Sequence, residues 1–201
     1  MIEAPKITTV AIDPGHPSRP GRPGAVSPCG KIVEHKYVMG PARMLNSALT
    51  REPGFAPMLL RHNENEVVSV PERAKIATEA RADIVVSLHV DASKDRKRQG
   101  CTILYWPGNE ITRQVAHQIS LSFPPVLRTW GERAARERDW PRAARVIGAY
   151  QQPTVLVEMG FATNEDDVKA LCETIVQVQI VGAIRQGLLL FRQLTTCEVG
   201  R

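Results

Sequence analysis

The sequence predicts an α/β fold on three observations. Short β-branched runs alternate with stretches of helical periodicity, breaker or polar residues close each run, and no internal repeat or linker interrupts the 201 residues. The expected architecture is a single layered domain over residues 1–201, with a mostly parallel mixed sheet flanked by helices. In such a fold, right-handed crossovers gather the loops at the carboxyl ends of the strands along one edge.

The first run, Ile7-Thr8-Thr9-Val10-Ala11-Ile12, meets Asp13-Pro14-Gly15 and reads as a buried strand with His16 just past its end. Residues 17–24 are dense in proline and glycine, a loop expected to rim whatever site lies there. From Val33 to Leu49 the apolar residues recur at helical spacing, and Gly40-Pro41 should kink or split that helix, with Glu34 in its first turn. A strand over 56–61 and a helix over about 71–82 follow, Pro71 being acceptable in a first turn. Ile84 to Val90 is the strongest strand pattern.

Gly100 to Trp106 reads as another strand and Glu110 to Leu121 as a helix. The arginine-rich stretch 129–145 is expected to be a solvated helix, since Glu132, Glu137 and Asp139 offset part of its charge. Pro153 to Val157 is the last strand, with Glu158 ending it. Asn164 followed by Glu165-Asp166-Asp167 supplies an N-cap and an acidic first turn, and the chain to about Leu194 is expected to be helical.

A chain 43% hydrophobic and 23% charged can build its own core without a disulfide scaffold. The four cysteines, Cys29, Cys101, Cys172 and Cys197, form no CxxC pair and are expected to be reduced and structural. The net charge of +5 favours polyanions, including acidic polymers of a bacterial envelope, and adsorption of that kind weakens with salt. No secretory signal is visible at the N-terminus, and no stretch is expected to match the roughly 20 apolar residues that span a bilayer.

Three polar positions stand at strand ends: His16, His89 in Ser87-Leu88-His89, and Glu158 in Val157-Glu158-Met159-Gly160-Phe161. Zinc takes imidazole nitrogen and carboxylate oxygen, and a catalytic site commonly uses three protein ligands, leaving a position for water. His16, Glu34 and His89 supply such a set. Hydrolysis of an amide also needs a group that takes the proton of water and delivers it to the leaving amine, and Glu158 is the candidate. Each residue alone has a plainer reading, a hydrogen-bonded histidine or an acid matched to a helix dipole. Their convergence on one sheet edge is what favours a site. His35, His62 and His117 are read as structural or surface residues.

The runs Ile12-Asp13-Pro14-Gly15-His16, Val33-Glu34-His35-Lys36, Ala82-Asp83-Ile84-Val85-Val86-Ser87-Leu88-His89 and Pro153-Thr154-Val155-Leu156-Val157-Glu158-Met159-Gly160-Phe161-Ala162-Thr163-Asn164 share a further property. In order, spacing and strand context, over nearly the whole chain, they resemble the zinc-dependent N-acetylmuramoyl-L-alanine amidases of the type 3 family. The resemblance implies Zn2+ bound by His16, Glu34 and His89, catalysis by Glu158, and cleavage of the amide between N-acetylmuramic acid and L-alanine in peptidoglycan. It departs from the family pattern after His16, where Pro17-Ser18-Arg19-Pro20 stands in place of glycines, and after His89, where Val90-Asp91 follows.

The resemblance fits a phage lysin or a bacterial autolysin acting in the periplasm or cell wall. A monomer with peptidoglycan as its partner, no nucleic acid and no membrane insertion, is the expectation. Two other readings use the same residues: another zinc amidohydrolase, such as a peptidase or deacetylase, and a non-catalytic wall-binding module. The arginine stretch, with Trp130 and Trp140, is expected to flank the cleft and meet stem-peptide carboxylates or sugar rings.

Overall fold

A computed structural model describes residues 6–17, 23–136 and 138–197, with only the backbone of Cys197. The proline- and glycine-rich loop expected to rim the site therefore lies largely outside the described residues, which resume at Pro23.

The elements run β1 (Thr8–Pro14), α1 (Glu34–Tyr37), α2 (Met39–Thr50), β2 (Phe55–Leu59), α3 (Val70–Glu79), β3 (Ile84–Asp91), β4 (Cys101–Tyr105), α4 (Glu110–Ser122), β5 (Thr129–Ala134), α5 (Pro141–Ile147), β6 (Thr154–Phe161), α6 (Glu165–Cys172) and α7 (Thr174–Cys197). Six strands form one sheet in the order β2-β1-β3-β6-β4-β5. The first four are mutually parallel, β4 runs antiparallel to β6, and β5 runs parallel to β4. This is the expected α/β fold with a mostly parallel mixed sheet.

Strands buried on both faces are expected to be apolar on both, and β1 and β3 are so over Val10–Ile12 and Ile84–Val86. Because alternate residues point to opposite faces, Ile12, Val86, Leu88 and Val157 join the large core beneath α2, α4 and α7. Ala11 and Val85 point the other way, to a smaller core with Ala74 and Ala77 of α3 and with Tyr150. Register then decides what happens at the carboxyl end of that second face. Asp13 pairs with Ser87, and His89 with Glu158, so four polar residues continue the row begun by Ala11 and Val85.

The helix expected over 33–49 does split, at Val38, ahead of Gly40-Pro41. Pro41 falls in the first turn of α2, where a missing N–H removes no helical bond, so proline is compatible with the new start rather than being the break itself. α3 carries a capping box between Ser69 and Glu72, and Asn164 caps α6 by accepting from the N–H groups of Asp166 and Asp167. The helical C-terminal region divides at Glu173 into α6 and α7.

Three expectations need correction. The arginine stretch is not one solvated helix: it is the edge strand β5 followed by the short α5. Charged side chains on an edge strand hinder further strand pairing, which is why a sequence so rich in arginine can still be β. There Trp130 donates its indole N–H to Gln99 O at 2.6 Å, and the Arg128 guanidinium lies 4.6 Å from its ring centroid. Second, β6 continues three residues beyond Glu158, to Phe161, so that glutamate sits inside the strand. Third, Thr174–Thr196 is long and apolar enough to cross a membrane by length and composition alone. Here it serves as a core helix: Ile180, Ile184, Leu188 and Phe191 are buried, and Arg185 is ion-paired with Glu52.

Among the described residues Cys29, Cys101 and Cys172 are unpaired; Cys101 is buried, whereas Cys29 and Cys172 are exposed. Burial pushes the Cys101 thiol up to about 12, so it stays protonated.

Candidate metal centre and active site

His16, Glu34 and His89 each offer a ligand atom, and these atoms all lie within 4.8 Å of one another. Three separate segments bring them together. β1 delivers His16, which takes a φ of 57°, in the left-handed region, and so turns the chain sharply just past the strand. Glu34 opens α1 and is nearly fully buried, and His89 stands on β3, buried as well. The two imidazoles meet edge to face with centroids 5.3 Å apart.

Glu34 is held by backbone donors rather than by its position in the helix. The Ala25 N–H donates to Oε2 at 2.6 Å and the Val90 N–H to Oε1 at 3.0 Å. His89 Nδ1 then lies 2.9 Å from Oε1, and His16 Nε2 3.4 Å from Oε2. Burial alone would raise the Glu34 carboxyl, but the His89 contact, the two imidazole charges and the Ala25 N–H outweigh it, holding the group below its usual value. Burial, opposed in part by Glu34, holds the His16 imidazole below its usual value, which keeps a lone pair available near neutral pH. A carboxylate and two imidazoles converging in this way could hold a divalent metal, and nitrogen–oxygen sets of this kind suit zinc.

Two glycines make room for the set. A Cβ on Gly15 would lie 2.6 Å from His89 Nε2, and one on Gly24, where φ is 81°, would lie 2.8 Å from Glu34 Cβ. Both distances are shorter than real Cβ contacts allow.

Glu158 lies beside His89 across the β3–β6 pair. Its Oε2 is buried and has no hydrogen-bond partner among the described residues. Burial, with added repulsion from Asp91 and Glu34, raises its carboxyl well above the usual value. Asp91 is raised too, by burial, with Arg98 and Arg142 among the groups opposing the shift. Of the arginine stretch, Arg142 is among the charges that oppose the shift at Asp91.

Beneath the cluster lies a support that the sequence reading did not identify. Asp13, wholly buried, accepts from Arg73, from Ser87 Oγ at 2.7 Å and from Tyr150 Oη at 2.8 Å. Arg61, also wholly buried, donates to the carbonyls of Gly15 at 3.2 Å, His35 at 2.9 Å and Asn63 at 2.9 Å. It therefore ties the β1 exit, which carries His16, to the turn of α1 that carries Glu34. The one sequence signal for these was an arginine placed next to a strand that is otherwise apolar.

The remaining histidines are placed as expected. His35 is buried with Nδ1 3.1 Å from Pro23 O, His62 is exposed, and His117 lies 3.2 Å from Glu132 on the surface.

Comparison with known proteins agrees with this architecture. Residues 10–189 match the Amidase_3 family, described as N-acetylmuramoyl-L-alanine amidase. The chain belongs to that family. It is 27% identical to the probable N-acetylmuramoyl-L-alanine amidase AmiB of Haemophilus influenzae, over 91% of this chain and 52% of that protein. It is 28% identical to N-acetylmuramoyl-L-alanine amidase LytC of Bacillus subtilis, over 89% of this chain and 34% of that one. The chain thus spans between a third and about half the length of these relatives. Among solved structures, an N-acetylmuramoyl-L-alanine amidase from Clostridium difficile 630 superposes with a TM-score of 0.80 at 23% identity, covering 92% of this chain and 96% of that one, a likeness of fold.

Proposed function

We propose that this chain is a zinc-dependent N-acetylmuramoyl-L-alanine amidase that cleaves the bond between N-acetylmuramic acid and L-alanine in peptidoglycan at the cell wall. The observation that carries the reading is the convergence of His16, Glu34 and His89 within 4.8 Å, with Glu158 next to His89 in register. Both cores pack on one sheet, which supports residues 1–201 as one catalytic domain.

His16, Glu34 and His89 hold the metal. Zinc bound there supplies Lewis acidity that polarises an amide carbonyl and makes water a competent nucleophile near neutral pH. Glu158 acts as general base and then general acid: its carboxylate takes the proton of the attacking water, and the same group passes that proton to the departing L-alanine nitrogen. Its raised affinity for a proton suits the second half of this shuttle, and its unpartnered Oε2 leaves an oxygen free to take part. Burial keeps that affinity high, with repulsion from Asp91 and Glu34 added to it.

The fit to zinc rests on the donors themselves. Glu34 already receives two backbone N–H groups, and its oxygens still face two imidazole nitrogens. A cation shared by the three side chains accounts for that crowding of acceptors. Zinc titration of chelator-stripped protein tests the reading. We expect uptake of one equivalent and return of activity on purified peptidoglycan; no uptake, or full activity in the stripped protein, would contradict it.

A further inference from the structure

We infer that Arg98 and Arg133 form a cationic rim on the leaving-group side of the site, where they bind free carboxylates of the stem peptide and select for unamidated stems. The inference deepens the amidase reading above and rests on it. In that reading Glu158 passes its proton to the L-alanine nitrogen, so this nitrogen lies by Glu158 while the carbonyl lies at the His16, Glu34 and His89 cluster. In the sheet, β1 and β3 lie on one side of β6, and β4 and β5 lie on the other. The departing peptide therefore extends toward β4 and β5. The glycan, whose muramic acid carboxyl is spent in the amide, brings no anion of its own to the bond.

Register places Arg133 on the same face as Glu158. Thr102 pairs with Glu158 and Leu104 with Leu156, and Leu104 pairs in turn with Arg133. Between Cys101 and Ile103 the β4–β5 ladder shifts, so Trp130 and Gly131 together stand opposite Thr102. Gly131 takes a φ of 75°, and a Cβ there would lie 3.6 Å from Arg133 Nη1. The guanidinium thus lies back over the glycine, toward the start of β5. Because β4 and β5 run against β6, that start is at the edge that carries the site. Two strand spacings of about 4.8 Å put this row about 10 Å from Glu158. An extended peptide advances about 3.3–3.6 Å per residue, so the second and third residues of a stem come within reach.

Arg98 belongs to the loop that leaves β3 and crosses the end of β6 to enter β4. Its guanidinium lies 5.9 Å from the ring centroid of Phe161, the last residue of β6. Three hydrogen bonds fix this loop. The Ser93 N–H donates to Thr163 Oγ1 at 3.0 Å, Asn164 Nδ2 to Arg96 O at 2.9 Å, and the Trp130 indole to Gln99 O at 2.6 Å. Arg98 and Arg133 are both exposed, and neither forms an ion pair among the described residues. Two guanidinium groups held in this way on the peptide side complement carboxylates, which a neutral sugar ring does not offer.

The test has a binding arm and a kinetic arm. In the first, the protein in zinc-containing buffer is titrated with L-alanyl-γ-D-glutamyl-L-lysine, or with the same tripeptide amidated at both carboxyls. Binding is followed by NMR of the Trp130 indole N–H, assigned by its loss in Trp130→Phe. We expect the free-acid peptide to bind more tightly. Arg98→Gln and Arg133→Gln should each weaken it about 3- to 10-fold, between the worth of an exposed ion pair and that of a charged hydrogen bond, with a smaller change for the amidated peptide. In the second arm the N-acetylmuramoyl forms of both tripeptides are substrates, and the variants' loss on the free acid should fall on KM rather than kcat.

Equal binding of the two peptides by the wild type overturns the inference, whether or not the protein cleaves. So does a folded Arg98→Gln, Arg133→Gln double variant that keeps the wild-type preference. A wild type that prefers the free acid but cleaves neither muramoyl peptide supports the cationic rim and counts against the amidase reading instead.

Discussion

His89 and Glu158 stand directly opposite each other on adjacent parallel strands, on the same face of the sheet. One is a proposed ligand and the other the proposed proton carrier, so a single backbone register sets the distance between metal and base. This separates two kinds of damage. Glu158→Gln keeps size and strand pairing, and we expect it to fold and bind zinc as the wild type does while losing about 10²- to 10⁴-fold in turnover, the range typical of a lost general acid–base. Zinc content measured beside activity checks it, and wild-type turnover in the variant would remove Glu158 from the mechanism.

Gly15→Ala should act on the metal site from outside the ligand set. Its new Cβ meets the His89 ring, so we expect zinc to bind about 10- to 100-fold more weakly, as when a ligand loses its orienting shell. Gly24→Ala adds backbone strain at a φ of 81°, costing about 1–2 kcal/mol, and crowds Glu34. Zinc titration and thermal melting of the two variants distinguish lost affinity from lost stability.

Most of the fold was legible because its signals are local. The β-branched runs ending in breakers gave β1 and β3, and Asn164 marked the start of α6. The candidate site was legible for the same reason: His16, His89 and Glu158 belong to those strands or follow them, and parallel connections bring their ends to one edge. The misreadings came where tertiary context overrode local pattern. Edge-strand pairing with β4 converted part of the arginine stretch to β, and pairing with β3 extended β6 past Glu158. The buried supports, Asp13, Arg61, Arg73 and Tyr150, were illegible because their partners lie up to 137 residues away in sequence. Charge at position 61 or 73 reads as surface until the fold shows both side chains wholly enclosed.

Asp13 carries a pH prediction. Burial alone would raise its carboxyl, yet Arg73, with help from His89, Ser87 and Tyr150, brings it below the ordinary 3.8. A folded value below the unfolded one means the group stabilises the protein fully above pH 3.8, and this contribution is lost as the pH falls through the lower, folded value. Acid unfolding of Asp13→Asn should therefore be less steep below that pH than wild type. Asp13→Ala, which leaves Arg73 buried and unpaired, should cost about 3–5 kcal/mol at neutral pH by chemical denaturation. Equal acid slopes in Asp13→Asn and wild type would rule out this role for the pair.

Arg61→Met should loosen both ligand-bearing turns at once. The burial that pulls its guanidinium down to about 10 still leaves it charged at neutral pH, donating to the carbonyls of Gly15 and His35. Losing those bonds strands buried acceptors, a cost on the order of 3 kcal/mol. We expect a lower melting temperature, partly restored by saturating zinc because the metal cross-links the same turns. A melting temperature unchanged from wild type would mean that the carbonyls find other donors.

Under the proposed function, Glu158 and the His16, Glu34 and His89 cluster together hydrolyse the muramoyl–alanine amide. Mass spectrometry of purified peptidoglycan digested by zinc-loaded protein, chelated protein and Glu158→Gln tests it most directly. We expect free stem peptides with an L-alanine amino terminus in the first digest alone. Stem peptides still attached to muramic acid in all three digests, or released equally by Glu158→Gln, would contradict it.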